Sequence, residues 1–209
     1  MTNATLRTIV KGHVKIVDAV TGEVLLDKDN AIHSANMAAA IARGLSNTDT
    51  SSVGTHQIYA LALGNGGASV NSLGQITYLP PNVTGSSARL YNQTYFDVVD
   101  EHQSGTSAAN SVTYQQSGTD TTSVVIVTMT IPAGLPAGQN VSDTPPDPNF
   151  NSQYAFNELA LLTYGTSGSF SYTEAPSDSL LLSHIIFSPI EKTASRELVI
   201  TYSITISVS

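Results

Sequence analysis

Leu198-Val-Ile-Thr-Tyr-Ser-Ile-Thr-Ile-Ser-Val208 is the stretch on which the fold turns. Leu198, Ile200, Tyr202, Ile204, Ile206 and Val208 alternate with Val199, Thr201, Ser203, Thr205 and Ser207. A period of two puts all six larger apolar side chains on one face of a pleated strand, whereas a helix would scatter them around its axis. At roughly 3.3 Å per residue such a strand runs about 35 Å, long enough to sit centrally in a sheet. Its hydroxyl-rich face is left to water or to a neighbouring subunit.

Working outward, similar signals recur. Ile9–Val17 and Glu23–Leu26 read as strands of a hairpin joined by Asp18-Ala-Val-Thr-Gly22, with Gly12 marking a bulge or a close backbone approach. Ile58–Leu63 runs into the glycine turn Gly64-Asn-Gly-Gly67, and Ile76-Thr-Tyr begins a strand that Pro80-Pro81 stops. Ser123–Ile131 is apolar on both faces in its first half, the mark of a central strand. Phe156–Tyr164 and Leu180–Phe187 are two more strands around a Gly/Ser/Thr-rich arm, the second ended by Pro189. One helix is expected near residues 35–46, where Met37, Ile41 and Leu45 recur every four residues among alanines and Ser34 is placed to cap it. Together these predict an all-β chain, one antiparallel β-sandwich domain of jelly-roll-like type with a short helix and long assembly loops at about 82–122, 132–153 and 165–179.

Composition narrows the function. The 209 residues contain no cysteine, which removes disulfides, thiolate zinc sites and cysteine nucleophiles together. Eight Lys+Arg stand against sixteen Asp+Glu, a formal charge of −8, with no basic cluster to neutralise phosphates, so no nucleic-acid partner is expected. The sequence gives no signal for a secretory leader or a membrane span, and no membrane partner is expected.

Few residues stand in patterns that carry chemistry. His13, His33, His56, His102 and His184 lie far apart, without metal-ligand spacing, and His184 reads as a core histidine satisfied by a local hydrogen bond. Gly64–Gly67 lacks the lysine and helix of a phosphate loop. Asp27-Lys-Asp-Asn30 opens like a calcium loop but lacks the glycine and distal glutamate. Asp143 and Asp147 flank two prolines, a spacing that could share a hard cation but reads first as a solvated loop. Glu158 interrupts an apolar strand, where a lone acid pairs with a cation such as Arg196 or caps a turn; glycoside hydrolysis needs two carboxylates. No catalytic, cofactor or metal residue is therefore assigned, and the chain is expected not to be an enzyme.

Several segments resemble small virion structural proteins of tailed bacteriophages: Lys11-Gly-His-Val-Lys-Ile-Val-Asp-Ala-Val-Thr-Gly-Glu-Val-Leu25, Asn30-Ala-Ile-His-Ser-Ala-Asn-Met37, Ala62-Leu-Gly-Asn-Gly-Gly67, Phe156-Asn-Glu-Leu-Ala-Leu-Leu162, and Ser183-His-Ile-Ile-Phe-Ser-Pro-Ile-Glu-Lys192 through Tyr202-Ser-Ile-Thr-Ile206. Asn157-Glu-Leu is similar to an element of phage tail-collar and baseplate proteins, with Ala160 in place of the usual glycine. The resemblance implies a homo-oligomeric particle component of the tail, neck or baseplate, made in the host bacterial cytoplasm and contacting other virion proteins. A capsid decoration protein is the alternative within that class. From another class, Tyr91, Tyr95 and Tyr172 would serve a carbohydrate-binding receptor module.

Long aperiodic loops cost about 1 to 2 kcal/mol per residue to order, which contacts with neighbours offset. Residues 133–153, the arm 165–179 and the residues before Val10 are therefore expected at subunit interfaces, with Leu135, Val141, Phe150 and Phe170 as anchors.

Overall fold

In a computed structural model, which describes residues 7–46, 56–70, 72–103, 106–116, 121–136 and 153–209, the final strand shows the alternation directly. Leu198, Ile200, Tyr202 and Ile204 are buried, and the intervening Val199, Thr201 and Ser203 are half-buried on the other face. The described residues form eleven strands and one helix: β1 (Thr8–Asp18), β2 (Val24–Ile32), α1 (Ser34–Ser46), β3 (Ile58–Gly64), β4 (Ala68–Val70), β5 (Ile76–Tyr78), β6 (Gln93–Val98), β7 (Ser111–Gln116), β8 (Thr122–Ile131), β9 (Gln153–Thr163), β10 (Leu181–Thr193) and β11 (Leu198–Val208).

Nine of them make one curled antiparallel sheet in the order β6-β3-β9-β10-β2-β1-β11-β8-β7. The strand β2 is the shared corner. It pairs with β1 from Val24 to Asn30, then turns to pair with β10 through Ala31 and Ile32. The two halves fold over one another as an antiparallel β-sandwich, and one apolar core draws on Val14 and Ile16 of β1, Leu61 and Leu63 of β3, Met129 of β8, Phe156 of β9 and Ile200 of β11. Fully burying such a side chain contributes about 1.5–3 kcal/mol. At the far ends of the sheet the buried Asn110 joins the halves: its Nδ2 donates to Asp97 Oδ2 (3.0 Å) and to the Val98 carbonyl (2.9 Å) of β6, and its Oδ1 accepts the Thr130 N–H (2.9 Å) of β8.

The half built from β6, β3, β9 and β10 is covered on both faces. Beneath it is the sandwich core; over its outer face the loops of residues 79–92 and 165–180 make a second apolar cluster of Ala62, Ala88, Ala160, Leu162, Ala175 and Leu181. Double coverage explains why β9 and β10 read as continuous apolar runs rather than alternating ones.

The structure departs from the sequence reading at several places. Pro189 does not end β10, which continues to Thr193; a register shift between Ile186 and Ile190 absorbs the proline at a bulge. Asp27-Lys-Asp-Asn30 is not a loop but part of β2, and Asp27 Oδ1 lies 2.9 Å from His13 Nε2 on β1. Gly12 serves a close approach rather than a bulge, since a Cβ there would lie 2.1 Å from Asn30 Oδ1; the irregularity falls at Ile16/Val17. The helix is capped by His33, whose Nδ1 accepts the Asn36 N–H (3.2 Å), not by Ser34, and its last apolar position, Leu45, is exposed. Both β6 and β7 are strands, although their polar, weakly periodic sequences predict irregular chain.

Candidate functional site

The outer loop layer is fastened to the sheet by three buried ionisable side chains. Glu158 on β9 and His184 on β10 are fully buried, and their strands place them side by side, with Ile186 opposite Glu158 and His184 opposite Ala160. Glu158 Oε1 accepts the N–H groups of Gly66 (2.9 Å) and Asn92 (2.8 Å); Oε2 accepts that of Tyr91 (2.9 Å) and the Nε2–H of His184 (3.1 Å). Nδ1 of His184 in turn accepts the Asn82 N–H at 2.8 Å. Because Nδ1 accepts from an amide, the ring carries its proton on Nε2. A third group, His33, sets Nε2 2.9 Å from the Gly85 carbonyl, so one loop is held at Asn82, Gly85, Tyr91 and Asn92 in succession.

Asn157 completes the arrangement. Its Oδ1 accepts the Gly67 N–H at 2.9 Å, so the neighbouring side chains Asn157 and Glu158 grip consecutive amides of the glycine turn. The turn needs its glycines for space. A Cβ on Gly64 would sit 2.3 Å from the Asn92 carbonyl oxygen and 2.5 Å from Glu158 Oε1, and one on Gly66 would sit 2.6 Å from Asn92 N.

Burial on its own would raise the Glu158 carboxyl, but the hydrogen bonds from His184, Asn92 and Tyr91 outweigh it and hold the group below the ordinary glutamate range. A carboxylate with four donors is a saturated acceptor. An imidazole whose two nitrogens are both engaged has no lone pair to offer a reacting group without giving up the Asn82 amide. The cluster thus resembles a carboxylate–histidine pair in composition while its bonding is that of a structural joint. Arg196, proposed from sequence as a partner of Glu158, instead reaches Asp18 (Nε to Oδ2, 2.6 Å) and lies 3.6 Å from Glu23 Oε2. That bond, with amides of Thr21 and Val20, brings the Asp18 carboxyl down to about 2.

The other candidates fall in separate places. Leu135 is 42% exposed at the end of the β8 connection. Phe170 packs within its own chain, its ring centroid 5.0 Å from Tyr59 and 5.3 Å from Phe96. Val141, Phe150, Asp143 and Asp147 lie outside the described residues. The arm carrying Phe170 is tied down by Asp178, which accepts from the amides and hydroxyls of Thr166 and Ser167, and by Arg89, which donates to the Ser177 carbonyl at 2.7 Å. The three tyrosines do not form one exposed platform: Tyr95 is 3% exposed, with Tyr172 stacked on it at 5.4 Å, and the Tyr91 hydroxyl donates to the Pro80 carbonyl at 2.8 Å. Sequence reasoning missed Asn82, Asn92 and Asn110 because single asparagines in polar loops carry no periodic signal. Among the described residues no group of three or more His, Asp or Glu side chains is placed to hold a metal ion, and no helix is long and apolar enough to cross a membrane.

Fold and site together define an all-β sandwich with a loop layer anchored by buried polar groups. No protein-family model, curated protein or solved structure matches the chain.

Proposed function

We propose that this chain is a non-enzymatic structural subunit of a tailed-phage virion, placed in the tail, neck or baseplate and acting through protein–protein contacts. The observation that carries the reading is how Glu158 and His184 are used. Both side chains are fully buried, and they bond loop amides and each other, so their chemistry goes into holding a surface layer in one shape. A particle component needs that property, because its neighbours recognise a surface of fixed shape. The segments around Gly64–Gly67 and Phe156–Leu162, which carry the resemblance to virion proteins, are the two that meet at this joint.

A conditional nonsense allele of the gene tests the proposal. Grown without suppression, it should give incomplete particles that purified protein or a complementing copy restores. A normal yield of complete infectious particles lacking the protein would overturn it.

A further inference from the structure

The two edges of the curled sheet are treated differently. Along β6, the arm packs on side chains of the strand: Tyr172 stacks on Tyr95, and Gln93 Nε2 donates to the Ser171 carbonyl at 2.9 Å. Along β7 no described segment does so. β7 pairs with β8 alone, in unbroken register from Ser111 opposite Thr128 to Gln116 opposite Ser123. Thr113, Tyr114, Gln115 and Gln116 are exposed, Tyr114 by 73%. Sheet edges are ordinarily blunted by charged side chains, proline, a bulge or a cover; Ser111-Val-Thr-Tyr-Gln-Gln116 has no charge, proline or bulge, and no cover among the described residues. In an antiparallel ladder alternate residues turn their N–H and C=O groups away from the paired neighbour, so β7 turns outward a row of donors and acceptors to which no described strand is paired.

We propose that β7 is a self-association edge, on which β7 of a second copy of this chain adds antiparallel about a two-fold axis and continues the sheet across the pair. Charge and polarity favour a second copy here over the rest of its surface. The chain carries −8, so two copies repel over most of their surfaces, yet the three adjacent strands β7, β8 and β11 contain no charged residue. A two-fold axis passing at Tyr114 sets Thr113 opposite Gln115 of the other copy and Gln115 opposite its Thr113, hydroxyl and amide groups that hydrogen-bond one another. A seam of six residues is small beside the roughly 1,200 Å² of a stable specific interface, so the association is weak in dilute solution and is favoured at high local concentration. The inference stands apart from the proposal about virions, because it concerns the isolated protein.

The test is amide hydrogen exchange resolved along residues 111–116, with sedimentation equilibrium, for the wild type and the Thr113→Lys, Gln115→Lys double variant. Both substituted positions are exposed, so the variant folds, and its added charges face one another across the seam. In the wild type the amides of β7 that β8 does not bond should exchange freely at about 10 µM and gain at least about tenfold protection near 1 mM, with dimer appearing in parallel. The variant should stay monomeric and unprotected at both concentrations. Protection already complete at the low concentration, protection absent at the high one, or equal dimerisation of the variant would each overturn the proposal.

Discussion

Replacing Glu158 by glutamine tests the joint with one nearly isosteric change. The carboxylate accepts four hydrogen bonds, two at each oxygen, in a fully buried position. A glutamine amide keeps one oxygen and turns the other into an NH2 donor, which must face either Gly66 and Asn92 or Tyr91 and His184. Whichever way it is oriented, two buried donors lose their acceptor. His184 cannot compensate by moving its proton to Nδ1, because the Asn82 amide already occupies that nitrogen. With about 1–3 kcal/mol for each unsatisfied buried donor, the change costs about 2–6 kcal/mol. Urea unfolding at pH 7 would read this as a lower midpoint with an unchanged slope. Hydrogen exchange at Gly66, Gly67, Tyr91 and Asn92 should accelerate more than in the β1–β11 pair. A variant within about 0.5 kcal/mol of wild type, with those amides still protected, would refute the reasoning.

Gly66→Ala should destabilise by about 1–3 kcal/mol, since its Cβ meets the Asn92 backbone at 2.6 Å, whereas Gly22→Ala, in open space at φ 75°, should cost about 1 kcal/mol; paired denaturation curves decide it. Asn110→Ala leaves the Thr130 amide and the Val98 carbonyl without partners, so a loss of about 2–5 kcal/mol is expected in the same assay. The Asp18 carboxyl is depressed from 3.8 to about 2 by Arg196, so the folded state binds fewer protons than the unfolded chain across that window. Its contribution is therefore complete above about pH 4 and is lost as pH falls through about 2, and Asp18→Asn should flatten the urea midpoint against pH between those values.

The sandwich was legible where one face alone is buried. Alternation in β11 and the hairpin signal at Asp18–Gly22 follow from local pattern, and both elements appear where that pattern places them. β9 and β10 were legible as strands because apolar runs in a doubly covered sheet stay apolar on both faces. The edge β7 was not, because Ser-Val-Thr-Tyr-Gln-Gln buries little and so carries little hydrophobic signal. The extension of β2 through Asp27 and Asp29 was hidden for a related reason: its outer face is solvated, and charges there look like a turn. Glu158 stood out as an acid in an apolar strand, but its partners did not. They are backbone amides of Gly66, Tyr91 and Asn92, brought together only when two loops fold over the sheet, and a backbone amide leaves no mark in a sequence.

The central claim, that the chain is a built-in part of a virion, is tested most directly by quantitative mass spectrometry of density-gradient-purified particles compared with the lysate they came from. A virion component co-purifies with the particles in a fixed multiple-copy ratio to known virion proteins and resists a high-salt wash. Its confinement to the soluble lysate fraction, with none in the particles, would show that it is no part of the virion.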